Sequence, residues 1–496
     1  MGNKSFSSRV LNRSFYYGFS TILGRVVGFI MLPIYTNYLT PSDYGVAGFL
    51  VLYVSLVQTV LGGQLEHSIS KFHYDKKVKN SLAEICLTSA SVTSLFCILP
   101  VLFGVFYSEE VSTLLFSSAE FALVVSIASI NILFASLEVY GFQYLKILDR
   151  AKLYLVLNVL KLFLQLLINI VLVVYYEMGI IGIISSSAIV YVILTIVTFW
   201  ILFNTEKTAK FRFSLVKPLL LFSAPLWLSG LLGLYNGSSH QVFIKFYSGL
   251  DSLGLYNLGA TFGALVGALF LSPFFSFWQV ERFRVYERDN AVSIFKNTFY
   301  VITLISLFLS LVVSIFSGPI ISIMSDDSFH DASKVVAPLA IASVIIPLGW
   351  YLNFSFLVMD KSKELAKNSL IYTGIVSLIY WLIIPRWGYE GAAFGVMIAT
   401  IINLHIIHSR ARRFYDMGIS IIVVDVGVVF ILSLYYLFVY FNPWLESPFK
   451  SIGFYAFLTS LLLMMFVFVI KVQLPELYKR GVFEMKKLLM IFKSDK

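Results

Sequence analysis

The stretch STILGRVVGFIMLPIY, Ser20 to Tyr35, is apolar enough to cross a bilayer but carries one cation, Arg25. A charge at the centre of a spanning helix costs roughly 2.5–3.5 kcal/mol on insertion scales, so it belongs on a face turned to protein or to a water-filled cavity. If this stretch is a span, the rest of the chain should be built on the same scale, and it is. The 496 residues are 58% hydrophobic and 13% charged with a mean hydropathy of +0.85, outside the range of soluble domains and inside that of multi-spanning membrane proteins. Runs of about 20 apolar residues, the length that a ~30 Å hydrocarbon core requires, fall at 12–38, 43–64, 81–106, 119–143, 153–175, 178–203, 217–247, 254–279, 296–316, 334–358, 367–385, 389–408, 419–441 and 452–472. We number them spans 1 to 14.

Charge orients them. With the N-terminus inside, 31 of the 37 basic residues fall on inward segments and only Lys245, Lys334, Arg386 and Lys450 on outward ones, leaving Arg25 and Lys161 within spans. That bias predicts cytoplasmic termini and accounts for the net charge of +10 without nucleic acid. The basic N-terminal segment leads into an apolar run with no small-residue cleavage site, which reads as a retained first helix. Cys86 and Cys97, the two cysteines, share one apolar run, which predicts buried free thiols. The largest outward connection, 317–333, is too short for a soluble domain, so function must lie among the helices. The tail 473–496 mixes Lys with Leu, Met and Phe at near-helical spacing, as a basic amphipathic helix on the inner leaflet would.

The chain also matches itself. PSDYG (41–45) resembles LDSLG (250–254) and GIIG (179–182) resembles GYEG (388–391), both 209 residues on, while DRAK (149–152) matches DKSK (360–363), 211 on. Spans 1–6 (1–210, an N-lobe) therefore read as a copy of spans 7–12 (211–415, a C-lobe), with spans 13 and 14 (416–472) and the tail (473–496) appended. An even number of spans per copy keeps both in one orientation, a parallel repeat around a central cavity that suits alternating access. The expected fold is thus an all-α integral membrane protein of about 14 transmembrane helices, two six-helix lobes plus two C-terminal helices.

Polar residues inside spans are the candidate site. Arg25 lies about 18 Å along its helix from Arg13 at ~1.5 Å per residue, too deep for easy snorkelling, and it has two readings, a structural pairing or a ligand-facing cation. In span 5, Tyr154, Asn158, Lys161, Gln165 and Asn169 recur every three or four residues and form one polar stripe. Glu138 in span 4 precedes Asp149 in the connecting turn by 11 residues and Lys161 follows it by 12, so a helical hairpin would bring the two to similar depth, either as a structural pair or as an ion-coupling site. Span 7 has its own stripe of Ser229, Gly233, Asn236 and His240, with Lys245 nearer the outer end. His240 would titrate near neutrality in a cavity, or else be a hydrogen-bonded core histidine. Asn353 and Asn403 are further cavity candidates, and Asp425 is expected to pair with the adjacent basic loop. The six histidines do not cluster with acids or thiols at ligand spacing, and there is no GxxxxGK[ST] loop. No metal, nucleotide or other cofactor is implied, and a secondary transporter is favoured over an enzyme.

The 6+6+2 pattern, the segment GFSTILGRVVGFIMLPIYTNYLTPSDYGVAGF (18–49), and the half-repeat LLLFSAPLWLSGLLG with SGLDSLGLYNLGA (248–260) resemble the Wzx-type O-antigen and capsule flippases of the multidrug, oligosaccharidyl-lipid and polysaccharide exporter superfamily. The resemblance covers essentially the whole chain. It implies a bacterial cytoplasmic membrane, two lobes forming a V, and flipping of an undecaprenyl-diphosphate-linked oligosaccharide to the outer leaflet. It also implies cooperation with a polysaccharide polymerase and a chain-length regulator. The cationic cavity of that family is matched by Arg25 and Lys161, with His240 and Lys245 as second-lobe contributors. Arg25 would then receive the diphosphate, and the polar stripe of span 5 the sugar hydroxyls. Two rival readings remain open. A cation-coupled drug antiporter of the same superfamily should favour unpaired acids, with Glu138 as its test. A membrane-embedded polymerase or glycosyltransferase should carry a large outward loop or a cytoplasmic catalytic domain.

Overall fold

The computed structural model describes residues 23–24, 26–62, 64–75, 80–441 and 460. Arg25, span 14 apart from residue 460, and the tail 473–496 lie outside the described residues. Among the described residues all regular structure is helical. Ten stretches are long and apolar enough to cross a membrane, joined by a shorter apolar helix, Val26–Tyr38, that belongs to span 1. The protein is a multi-pass membrane protein.

Local chemistry starts several spans where the sequence predicts. Span 2 (Pro41–Leu61) begins at a capping box: Thr40 Oγ1 accepts from the Asp43 amide, the Asp43 carboxylate accepts from the Thr40 amide at 3.0 Å, and Pro41 occupies the first turn. Ser81 caps span 3 (Leu82–Phe106) by accepting from the Glu84 amide at 3.2 Å. Span 4 (Ala122–Ile147) and span 6 (Gly179–Thr205) are single helices. Span 5 (Ala151–Asn169) continues through a π-helical turn, Ile170–Tyr175.

Spans 7 and 8 lie in one stretch, Phe213–Gly263 with its continuation to Tyr286, and spans 11 and 12 in another, Ser362–Ala411. At ~1.5 Å per residue an unbroken 50-residue helix would be about 75 Å long, far more than a bilayer. Both are broken by a glycine with positive φ, Gly249 (+83°) and Gly388 (+56°), in a backbone region that is essentially confined to glycine and costs other residues roughly 1–3 kcal/mol. Span 9 (Ala291–Met324), span 10 (Val336–Leu352) and span 13 (Ile422–Phe441) complete the described bundle. One expectation needs correction: residues 317–333 are not an extended connection. Span 9 runs on to Met324, and a 3₁₀ turn, Asp327–Val335, leads directly into span 10. Asp326 starts that turn by accepting from the Ser328 amide at 3.0 Å, which holds its carboxyl below the usual carboxylate range.

The three self-matches carry matched backbone geometry. Gly179 and Gly388, 209 apart, have φ of +52° and +56°; Asp149 and Asp360, 211 apart, have φ of +62° and +53°. The third match is a contact. Spans 2 and 8 cross where Gly45 faces Gly254: a Cβ on Gly45 would collide with the Leu250 carbonyl and one on Gly254 with the Pro41 carbonyl, and each would lie 3.1 Å from the other glycine's amide nitrogen. Pro41 and Leu250 are themselves 209 apart, so the crossing is self-complementary in the way of a two-fold interface.

Span 1 reaches across this crossing. Phe29 packs edge-on against Phe262 of span 8 at 5.4 Å, while Tyr35 meets span 5. The largest apolar core lies among spans 8, 9, 10, 12 and 13, where Trp278 stacks on Tyr351 at 5.4 Å and the Tyr351 hydroxyl donates to the Phe295 carbonyl at 2.9 Å. Cys86 and Cys97 are both buried and free.

Candidate functional site

The polar residues of spans 4 to 7 fall into three groups. In the first, Lys161 Nζ donates to Glu138 Oε2 at 2.7 Å and lies 4.7 Å from the centroid of the Tyr191 ring. Glu138 is buried and its Oε1 has no hydrogen-bond partner, whereas Lys161 is 28% exposed. The depth matching inferred from the turn at Asp149 thus places the two charges in contact, and the aromatic face adds a second attraction for the ammonium.

The rest of the span 5 stripe binds neighbouring helices. Gln165 Nε2 donates to Ser186 Oγ at 2.8 Å and to Ser187 Oγ at 3.3 Å, Ser186 Oγ donates to Asn169 Oδ1 at 2.7 Å, and Asn169 Nδ2 donates to the Tyr35 hydroxyl at 2.8 Å. Asn158 Nδ2 donates back to the Tyr154 carbonyl of its own helix at 2.9 Å. One chain of polar contacts therefore joins spans 1, 5 and 6 below the apolar surface. Ser186, Ser187 and Tyr191 went unread in the sequence. Three consecutive serines at 185–187, inside an otherwise apolar span, were the signal that could have found them.

The second group lies at the contact of span 7 with spans 2, 8 and 11. His240 is 8% exposed, with its ring 4.9 Å from that of Tyr256 and 6.0 Å from that of Tyr380. Neither His240 Nδ1 nor the Tyr380 hydroxyl has a hydrogen-bond partner. Lys245 lies toward Phe49 of span 2, 5.8 Å from the ring centroid.

The third group is a cavity of about 440 Å³ between spans 7, 10, 11 and 12. Asn236 contributes from span 7, and its Oδ1 accepts from Thr373 Oγ1 at 2.9 Å. Asn353 and Asn403 line it too, together with Asn368, Trp350 and Tyr372, which sequence reasoning missed because each is isolated in an apolar or interfacial run. Arg25 lies outside the described residues. The predicted residues are therefore not one constellation: Glu138, Lys161, Gln165 and Asn169 belong to spans 1 and 4–6, His240 and Lys245 to the contact of span 7 with spans 2, 8 and 11, and Asn236 to the cavity. Asp425 pairs with His405, Nε2 to Oδ2 at 3.2 Å, and not with the basic loop expected from sequence. Its position one helical turn into span 13 brings it level with span 12 and its imidazole. Among the described residues no three His, Cys, Asp or Glu side chains converge as a metal site would require.

The fold is similar to that of several solved transporters. The lipid II flippase MurJ in an inward closed conformation is 15% identical with a TM-score of 0.72, over 94% of this chain and 99% of that one. An inward-facing multidrug resistance MATE family transporter of the MOP superfamily is 14% identical with a TM-score of 0.59, over 79% and 95%. A MOP superfamily transporter from Pyrococcus furiosus is 12% identical with a TM-score of 0.55, over 82% and 96%. At these identities the likeness is one of fold. No curated protein sequence matches the chain. Residues 10–277, more than half of the chain, match the family of polysaccharide biosynthesis proteins, and this multi-pass membrane protein belongs to that family.

Proposed function

We propose that the protein flips a polyprenyl-diphosphate-linked oligosaccharide, the repeat unit of an O-antigen or capsule, from the inner to the outer leaflet of a bacterial cytoplasmic membrane. One observation carries this reading. A chain of a polysaccharide biosynthesis family is, through its described length, a set of apolar helices joined by short links. What such a chain can contribute to polysaccharide assembly is passage of an intermediate through the bilayer, by a transporter and not an enzyme. In this reading both termini are cytoplasmic, spans 1–6 (1–210) and spans 7–12 (211–415) are the two lobes, and the matched backbone turns and the Gly45–Gly254 crossing support their pseudo-symmetry. Spans 13–14 and the tail 473–496 flank them.

The cationic part of the path is Arg25 with Lys161. A diphosphate cannot be solvated by hydrocarbon, so it needs a cation held in a cavity. Glu138 keeps Lys161 neutralised until an anion competes for the ammonium. The polyprenyl tail remains in lipid. An inside-negative potential favours outward movement of an anionic head by about 2.3 kcal/mol per charge per 100 mV. Export at this step hands the repeat unit to a polymerase and a chain-length regulator on the outer face.

The test is complementation of a deletion strain with wild type, Arg25→Ala or Arg25→Lys, reading lipid-linked repeat units, surface polysaccharide and membrane levels. We expect wild type to restore polysaccharide, Arg25→Ala to reach the membrane yet leave the lipid-linked unit untranslocated, and Arg25→Lys to rescue in part. Wild type that fails to restore polysaccharide would overturn the flippase reading, and export of a cationic drug that depends on Glu138 would put an antiporter in its place. Normal function of Arg25→Ala would remove that residue from the path.

A further inference from the structure

We propose that the cavity between spans 7, 10, 11 and 12 is a subsite for uncharged sugar residues of the lipid-linked oligosaccharide; this rests on the flippase reading and adds to it where the glycan is held.

Four carboxamides line the cavity from four different segments: Asn236 on span 7, Asn353 at the end of span 10, Asn368 on span 11 and Asn403 on span 12. Asn353 Oδ1 and Asn368 Nδ2 are buried without a hydrogen-bond partner, one an acceptor and one a donor, and Asn368 is only 5% exposed. A carboxamide both donates and accepts, so four of them around one cavity suit a ligand that can do the same. A sugar hydroxyl does both.

The chemistry around the amides narrows the class. None of the lining residues is charged. Arg410 binds Asn368 Oδ1 and Glu364, and Lys367 binds the same carboxylate, so both charges are met outside the lining. A phosphate would find no cation in the lining, which separates this cavity from Arg25 and Lys161 in the other half of the chain. Trp350 and Tyr372 supply flat apolar surface against which the C–H face of a pyranose ring can lie, and Trp350 is 55% exposed. On the opposite wall, Gly233 and Gly237 present bare helix backbone: a Cβ on either would meet nothing within 4 Å. Neither glycine is demanded by helix packing, so what they preserve is space. The volume, about 440 Å³, falls within the ~300–1,000 Å³ of small-ligand sites, which typically combine apolar walls with a few converging polar groups.

The same glycine supplies the test. Gly237→Cys adds a thiol in open space, while the native Cys86 and Cys97 are buried and leave wild type as an unreactive background. Washed membrane vesicles are prepared from host cells that make the complete lipid-linked oligosaccharide and from cells blocked at the first sugar transfer, which hold the bare polyprenyl carrier. The rate of modification by a methanethiosulfonate reagent is then compared. We expect the glycan to slow modification at least threefold, and no such difference when the carrier is bare. Asn353→Leu should abolish that protection. Gly237→Leu, which fills the cavity, should lower surface polysaccharide at least tenfold at wild-type membrane level. Equal labelling rates in the two vesicle types, in a strain where wild type restores surface polysaccharide, would overturn the subsite and leave the flippase reading standing. If wild type restores no polysaccharide, both fall together. Protection by soluble oligosaccharide added to carrier-only vesicles would support a sugar subsite, whereas slowing by the bare carrier equal to that by the glycan-bearing lipid would refute it.

Discussion

Spans 2 and 8 touch backbone to backbone, and the consequence of prising them apart can be worked out. Neither Gly45 nor Gly254 has room for a methyl group, because the added Cβ collides with a carbonyl oxygen of the facing helix and lies 3.1 Å from its glycine amide. Backbone cannot turn aside as a flexible side chain can, so the two helices must separate. Overpacking typically costs about 1–3 kcal/mol, which is a 5- to 150-fold change in the balance between two states if only one of them contains the contact. In the orientation proposed above the crossing closes the extracytoplasmic end. Gly45→Ala and Gly254→Ala are therefore expected to enlarge the population open on that side. Spin labels on exposed Glu109 and Asp251, with interspin distances read by pulsed dipolar spectroscopy in nanodiscs, would report the change as growth of a longer-distance population. Because both methyls act at one crossing, the double variant should cost less than the sum of the singles. Gly233→Ala, whose Cβ meets nothing within 4 Å, is the control and should leave the distribution unchanged. Identical distributions and melting temperatures for Gly45→Ala and wild type would refute the reasoning, since a colliding methyl cannot be silent at a contact that exists.

Three other perturbations separate structural from functional roles. Glu138→Gln should leave the Lys161 ammonium without its counter-charge and lower thermal stability by up to about 3 kcal/mol, less than a fully buried pair because Lys161 is part exposed; Glu138→Gln with Lys161→Met should recover most of it, and strictly additive losses in a double-mutant cycle would argue against the pair. Tyr35→Phe removes the acceptor of Asn169 Nδ2 and should cost about 1–3 kcal/mol, measurable as a lower melting temperature, with faster amide exchange in span 1; an unchanged melting temperature would mean that span 1 is not tied to span 5 there. Gly388→Ala should cost roughly 1–3 kcal/mol through its positive φ alone, while Gly28→Ala, where a Cβ meets nothing within 4 Å, should cost less than half as much in the same denaturation assay.

The sequence alone located the spans that the structure describes, though not every length, because a bilayer demands about 20 apolar residues per crossing and the chain meets that demand in run after run. It also suggested a repeat. The matches at 41, 149 and 179 were read as loose resemblances, and two of them have a positive φ at the same place in both segments while the third is the Gly45–Gly254 contact. The pairing of Glu138 with Lys161 was legible for a similar reason: a short turn at Asp149 makes depth computable from residue counts. The segment 317–333 was counted as a connection because the apolar run ends at Phe316, yet the helix continues through Ser317, Gly318 and Pro319 to Met324, since small residues are at home in packed membrane helices.

Only the tertiary structure decided what each polar face meets. A spacing of three or four says which side of a helix a residue occupies, not which helix stands opposite. Thus the span 5 stripe gave no hint that Ser186 and Tyr35 complete it, and Asp425 found an imidazole on span 12 where a basic loop was expected. The cavity lay furthest from view. Asn236, Asn353 and Asn403 were candidates one by one and Asn368 was not, and the four, scattered over 168 positions of sequence, become one polar surface only when their segments pack around a volume that no side chain fills.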